Sequence, residues 1–332
     1  MIKHIFKLYS RKFILSLLMV VTILVFSSCG ITGNVAKDIP KETNKRMEAY
    51  FCPKDDCGNV MEKTIMNATS TIHCALFDLD LKNVINAFSQ KSKTADVRIV
   101  MDDTNNEKRI KGSAVRFDTS SQLMHNKFCI FDSERIVTGS FNPTENDNFK
   151  NNNNMLVIYS RQLSGNFESE FEELWNGKFS SGKRSENTKF ILNGNKIENY
   201  FCPEDRCEEK IIDGIKNAKS SIYFMSFSFT SENIADSLVK KKGIDIRGVV
   251  DSSQAGSQYS VHKVLQDAGI NVIKDNNKYK MHHKVFIFDN ETVATGSYNP
   301  TLSGNARNDE NLIIIHDKEI ANEYLKEFDS LA

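Results

Sequence analysis

The sequence predicts an α/β protein made of two tandem α/β sandwich domains with mixed sheets, packed together as a pseudo-dimer. Three observations predict it. Tyr50-Phe-Cys-Pro-Lys-Asp-Asp-Cys57 returns as Tyr200-Phe-Cys-Pro-Glu-Asp-Arg-Cys207, an offset of 150 residues. Met124-His-Asn-Lys-Phe-Cys-Ile-Phe-Asp132 returns as Met281-His-His-Lys-Val-Phe-Ile-Phe-Asp289, an offset of 157. Between these landmarks, apolar runs of strand length alternate with helix-like stretches, as expected of helices packed on a sheet. Repeats this long are domains rather than solenoid units. They divide the chain into residues 48–179 and 197–332, joined by a linker at 180–196 rich in Ser, Gly, Asn and Lys.

The 332 residues are 40% hydrophobic and 26% charged with only 5 Pro, which excludes a disordered, collagenous or multispanning chain. Basic and acidic residues both number 43. Residues 1–29 carry Lys3, Lys7, Arg11 and Lys12 and no acid, so the remainder is slightly acidic. Such a body lacks the global field of a non-specific nucleic-acid binder, although a local basic groove stays open.

The elements follow in order. Lys3 to Lys12 form a basic region, and Phe13 to Phe26 an uncharged run of 14 residues that suits a signal peptide. Ser27-Ser-Cys-Gly30 resembles a bacterial lipoprotein signal ending, in which Cys29 would carry the lipid; an uncleaved anchor is the alternative. Either places the body outside the cytoplasm, beside a membrane, with residues 30–47 as a polar tether. In each copy a helix (Val60–Ala68; Ile211–Ala218) precedes a strand (Thr71–Phe77; Ser221–Phe227). A second helix (Leu81–Phe88; Glu232–Lys240) leads to a second strand (Asp96–Met101; Asp245–Val250). Then come the motif strand, a short strand, an Asn-rich loop, a strand (Met155–Tyr159; Leu312–His316) and a closing helix.

The C-x4-C pairs Cys52/Cys57 and Cys202/Cys207 read as local disulfides in an oxidising compartment. A zinc site built from all four is the weaker reading, because C-x2-C is the commoner zinc spacing. Cys74 and Cys129 lie within apolar runs and read as core residues.

The chemistry is expected in the duplicated His-x-Lys. On a strand, residues i and i+2 share a face, so His125 projects with Lys127 and His282 with Lys284. The apolar runs that follow would bury both lysines, which is costly unless each meets an anion. Asp132 and Asp289 lie five residues beyond each Lys, where they would fix a loop or the Lys itself. Gly139-Ser140-Phe141-Asn142 and Gly296-Ser297-Tyr298-Asn299 supply hydroxyls, amides and backbone N–H groups of the kind that hold phosphate oxygens. Two imidazoles and two ammoniums suit a phosphodiester, with no metal or other cofactor in the scheme. Asp102 and Asp251 end equivalent strands and read as caps. His262, His283 and His316 read as structural or exposed.

His-x-Lys-x4-Asp-x6-Gly-Ser-x-Asn resembles the signature of the phospholipase D superfamily, and both copies carry it in full. Met281-His-His-Lys and Arg307-Asn-Asp-Glu-Asn311 are most similar to its small members, bacterial endonucleases and mitochondrial cardiolipin hydrolases. The resemblance implies a phosphohistidine intermediate and one active site at the seam between copies, within a monomer. It also implies that Glu310, which aligns with Asn153, hydrogen-bonds His125 of the opposite copy and makes it the nucleophile. His282 would then face Asn153 and act as acid and base.

The leading substrate is a phospholipid head-group phosphodiester. The alternative is a nucleic acid cleaved by an extracytoplasmic endonuclease, with Lys108, Arg109, Lys111 and Lys240 to Lys242 lining a groove. A non-catalytic phosphate-binding scaffold and a cardiolipin synthase are less favoured, because the motifs are intact and the paired spans usual in such synthases are missing.

Overall fold

The computed structural model describes residues 39–105 and 110–332. Cys29, Lys108 and Arg109 lie outside the described residues. Among the described residues no helix is long and apolar enough to cross a membrane.

The first copy forms a seven-stranded sheet in the order β2-β8-β7-β6-β3-β4-β5. These strands are β2 (Met47–Cys52), β3 (Thr71–Leu76), β4 (Asp96–Met101), β5 (Ala114–Phe117), β6 (Lys127–Phe131), β7 (Arg135–Gly139) and β8 (Asn153–Tyr159). The second copy repeats that order as β10-β16-β15-β14-β11-β12-β13. Its strands are β10 (Asn195–Cys202), β11 (Ser221–Ser226), β12 (Asp245–Val250), β13 (Asn271–Lys274), β14 (Lys284–Phe288), β15 (Thr292–Gly296) and β16 (Glu310–Ile315). In each set of seven, three strands run parallel and the rest pair antiparallel, so both sheets are mixed.

The alternation along the motif strands sorts their side chains between two cores. Cys129 and Phe131 of β6 join Met61 and Ile65 of α1 (Cys57–Met66) and Val84 and Phe88 of α2 (Lys82–Lys91) on the outer face. Phe224 and Phe286 play that part in the second copy, under α5 (Cys207–Asn217) and α6 (Glu232–Lys240). The inner face is shared. Phe128, Ile130, Val285 and Ile287 meet Phe167 and Phe171 of α4 (Arg161–Trp175) and Tyr324 and Phe328 of α10 (Lys318–Leu331) in one continuous cluster. Each such side chain contributes roughly 1.5–3 kcal/mol by leaving water. Separating the copies would expose the cluster, which is why they form a single body.

Two segments depart from the expected tether and linker. Lys41–Glu42 (β1) runs parallel to Lys189–Leu192 (β9), and β9 extends the second sheet beside β10. The Glu42 carboxylate accepts from the Ser160 hydroxyl and, at 2.9 Å, from the Arg161 amide at the start of α4. Backbone pairing and a helix-end contact recruit these short polar pieces, neither of which a hydropathy pattern displays.

The sulfurs of Cys52 and Cys57 are bonded, as are those of Cys202 and Cys207. Cys74 and Cys129 are also bonded, rather than free core residues. They stand directly opposite each other in the β3–β6 ladder with Cα atoms 4.1 Å apart, a register that sequence alone does not reveal. The same positions in the second copy hold the stacked rings of Phe224 and Phe286.

Asp132 and Asp289 sit at the far end of the motif strands from the His-Lys pairs. The Asp132 carboxylate accepts from the amides of Thr69, Ser70 and Thr71 and the Ser70 hydroxyl, pinning the turn into β3. Asp289 does the same for Lys219, Ser220 and Ser221. Burial alone would raise the Asp132 pKa, but these donors overcome it and hold it at about 2. A depressed carboxylate stabilises the fold fully above its unfolded pKa and loses that contribution as pH falls through the folded one. Asp132→Asn is therefore expected to cost about 1–2 kcal/mol at pH 7. The difference from wild type in urea titrations should shrink from pH 4 downward toward pH 2.

Candidate active site

Both motif histidines precede their strands rather than lying in them. In that approach the residue has no ladder partner of its own, and the opposite copy supplies one. The His125 amide donates to the Asp309 carbonyl at 3.0 Å, and the His282 amide to the Asn152 carbonyl at 2.8 Å. The preceding amides of Met124 and Met281 are held by the carboxylates of Asp102 and Asp251, both at about 3 Å. These two aspartates cap local turns as expected, and their second oxygens fix the entry to each histidine. Their equivalent places in the repeat were the available signal for that role.

The side chains then converge across the seam. His125 Nδ1 lies 2.8 and 2.9 Å from the two Glu310 oxygens, and His282 Nδ1 lies 2.9 Å from Asn153 Oδ1. Glu310 is fully buried while each imidazole keeps a sliver of exposure, His125 at 7% and His282 at 8%. Pairing at Nδ1 directs each Nε2 away from its partner. Lys127 Nζ and Lys284 Nζ each donate to the carbonyl of the histidine two residues earlier, both at 2.7 Å. Among the described residues each ammonium makes only that hydrogen bond, so donors remain for a bound anion.

Phe77 and Phe227, which the sequence reading missed, wall the two histidines edge-on at 4.8 and 4.9 Å. Each ring also lies under the nearby ammonium, Lys127 at 4.9 Å and Lys284 at 5.2 Å. An aromatic at the end of an apolar strand reads as core, so only its duplication hinted at the site.

The charges are mutually strained. Burial pushes the Lys127 pKa down to about 8 against the pull of Glu310, Asp147, Asp78 and Asp102. Burial and the charge of Lys127 push Lys284 well below its ordinary value. Burial also lowers His125, with Glu310 opposing, and lowers His282 further, with Lys284, Lys127, His125 and Lys280 adding to the effect. A phosphate would relieve all four groups at once.

The Gly-Ser-x-Asn segments support this centre from behind. Ser140 donates to Asn153 Oδ1 at 2.9 Å, and Ser297 accepts from the Asn311 amide at 2.9 Å. Both hydroxyls are fully buried, so they hold β8 and β16 rather than present free donors. Asn142 is gripped by Asp147 through its amide and Nδ2, at 2.9 and 2.8 Å. Asn299 is buried at the equivalent place, its Oδ1 without a partner among the described residues. The glycines are needed for close approach. At φ +140° and +144°, a Cβ on Gly139 or Gly296 would lie 2.4 or 2.3 Å from a carbonyl oxygen of the adjacent strand.

The disulfide turns also serve the seam, since Cys52 pairs with Asn153 and Cys202 with Glu310 in the sheet registers. His283 faces inward to Glu327 of α10 at 3.1 Å. His316 bonds Glu198, and His262 begins a short helix, so none of the three enters the site. Lys240 and Lys241 belong to the opposite end of the second sheet, Lys240 paired with Asp236 and Lys241 with the Lys216 carbonyl before β11. Lys111 likewise precedes β5 and is tied to Ser89. Among the described residues, Lys111, Lys240 and Lys241 therefore do not line the seam.

A family model described as cardiolipin synthase, PLD-like domain, matches residues 61–175 and again 211–332. The chain belongs to the phospholipase D superfamily. It is 33% identical to a phospholipase D of Rickettsia prowazekii over 137 residues, 41% of this chain and 67% of that one. It is 31% identical to the mouse mitochondrial cardiolipin hydrolase over 124 residues, 37% of this chain and 56% of that one. The fold is shared with a phosphatidylserine synthase of Haemophilus influenzae, at a TM-score of 0.62 and 11% identity, over 85% of this chain and 84% of that one. With both motifs of the superfamily brought together, the protein is a phosphodiester hydrolase of the phospholipase D type.

Glu310→Gln removes the charge from the His125 pair while keeping its shape. It is expected to lower kcat on bis(4-nitrophenyl) phosphate by roughly 10²–10⁴-fold with an unchanged circular dichroism spectrum.

Proposed function

We propose that the protein hydrolyses phospholipid head-group phosphodiesters in two steps through a phosphohistidine. The observation that carries this reading is the Glu310–His125 pair set beside two buried ammoniums. Glu310 accepts a hydrogen bond from His125 Nδ1–H, which fixes the tautomer whose Nε2 lone pair is free to attack phosphorus and stabilises the charge the ring then gains. The phosphorus–oxygen bond to the head group breaks as His282 gives its proton to the departing oxygen. Lys127 and Lys284 hold the equatorial oxygens of the five-coordinate state, where the charge is greatest. Water then attacks phosphorus and passes a proton to His282. The phosphorus–nitrogen bond breaks, and a phosphate monoester leaves with both histidines restored. The ammoniums supply the positive charge that the step needs, so no metal enters the scheme.

Relatives named phospholipase D and cardiolipin hydrolase support a lipid substrate, as does the absence of a net positive charge. The signal-like segment and Cys29 would tether the monomer at a membrane outside the cytoplasm. A nucleic-acid substrate is favoured by one feature of the rim. Tyr279 is 43% exposed, with Lys278 Nζ 5.0 Å and Lys150 Nζ 5.5 Å from its ring, a pairing suited to a stacked base and its phosphate.

Purified protein in excess EDTA should release head groups from cardiolipin and phosphatidylglycerol vesicles, and His125→Ala should abolish the release. Cleavage of single-stranded DNA with untouched vesicles would transfer the mechanism to the nuclease reading.

A further inference from the structure

The two histidines have unequal partners, and the inequality is balanced by another residue. Position 153 is Asn where the second copy has Glu310, so His282 has lost the carboxylate that His125 keeps. Six residues earlier the exchange runs the other way: Asp147 stands where the second copy has Gly304. Both are the third residue of a short helix, Glu145–Phe149 (α3) or Leu302–Ala306 (α9), capped by Thr144 or Thr301. The Asp147 carboxylate is buried, 4% exposed, and its Oδ2 lies 3.6 Å from His282 Nδ1 across the seam. The second copy has no room for the same solution, because a Cβ on Gly304 would lie 2.4 Å from the Asn299 carbonyl oxygen.

We propose that Asp147 is the carboxylate partner of His282, a positioning residue that keeps this imidazole oriented and protonated to act as the leaving-group acid. Each copy thus lends one carboxylate to the histidine of the other, Glu310 to His125 and Asp147 to His282. The inference rests on the proposed role of His282 as proton donor. The groups facing His282 are otherwise cationic or ionisable to cations: Lys284 and Lys127 from the motif strands, His125 across the seam, and Lys280 on its own approach. Glu310 is engaged with His125, so without a carboxylate of its own an imidazolium there would face mainly positive charge. Asn153 Oδ1 accepts the Nδ1 proton and orients the ring, but it brings no charge. Asp147 does, and the same carboxylate also supports the ammoniums of Lys127 and Lys284.

A purely structural role is the competing account, since Asp147 also accepts from Asn142 and, at 2.7 Å, from Asn151 Nδ2. The two accounts separate on the titration of His282. The measurement is ¹⁵N-imidazole NMR of the full chain with inorganic phosphate in the site. It needs no lipid, and so fails independently of the substrate assignment. It also reads His282 apart from Lys127, because only imidazole nitrogens are observed. In Asp147→Asn the pKa of His282 should fall by about one unit or more. The alkaline limb of kcat/KM on bis(4-nitrophenyl) phosphate should move down with it. Adding Asn153→Glu should bring both back by restoring a carboxylate in the manner of Glu310. A folded Asp147→Asn protein with an unmoved His282 titration would overturn the proposal. So would an Asp147→Asn/Asn153→Glu protein that folds without regaining the limb, or that fails to fold at all.

Discussion

Lys127 and Lys284 bring two positive charges into one seam from which water is largely excluded, and neither charge is sustainable there alone. Burial depresses both, Lys127 depresses Lys284 further, and both depress His282. Buried ammoniums of this kind persist only beside carboxylates or a bound anion. The structure provides both answers. Glu310 and Asp147 oppose the charge, and the donors left on each ammonium suit a phosphate. Much of the surrounding architecture keeps those four groups in register.

That demand explains why the two copies are fused through a shared core. Phe128, Ile130, Val285 and Ile287 fill the space between the sheets, while α4 and α10 lie in the same layer. The histidine approaches have no ladder partners in their own copy and borrow the carbonyls of Asp309 and Asn152. Asn154 and Asn311 add side-chain bonds across the seam, to Thr295 at 2.7 Å and to Asn126 at 2.8 Å. A site assembled this way needs both halves. Duplication within one chain then frees each half to change, and the exchange of carboxylates between 153/310 and 147/304 shows that it has done so.

The sequence carried most of the candidate site because the repeat could be aligned with itself. His125, Lys127, His282 and Lys284 followed from a motif found twice, and Glu310 from its contrast with Asn153 together with the family resemblance. Asp147 escaped because its counterpart is Gly304, six residues from the position under comparison, so no local pattern linked it to His282. Phe77 and Phe227 were hidden among ordinary apolar strand residues. The Cys74–Cys129 bond depended on a strand register, and β1 and β9 on backbone pairing that polar side chains do not advertise. Conversely, Lys240 to Lys242 looked like a binding patch only until the sheet direction placed them at its opposite end. Side-chain chemistry was legible; contacts over long separations were legible only where the repeat or the family resemblance pointed to them.

The most direct test of a shared, asymmetric site is to locate the covalent phosphate. Rapid acid-free quenching during turnover of a phosphodiester, followed by peptide mass spectrometry, should find phosphate on His125 alone. The adduct should accumulate when His282→Asn removes the group that activates water. Phosphate on His282, with His125 unmodified, would contradict the division of labour between the two copies.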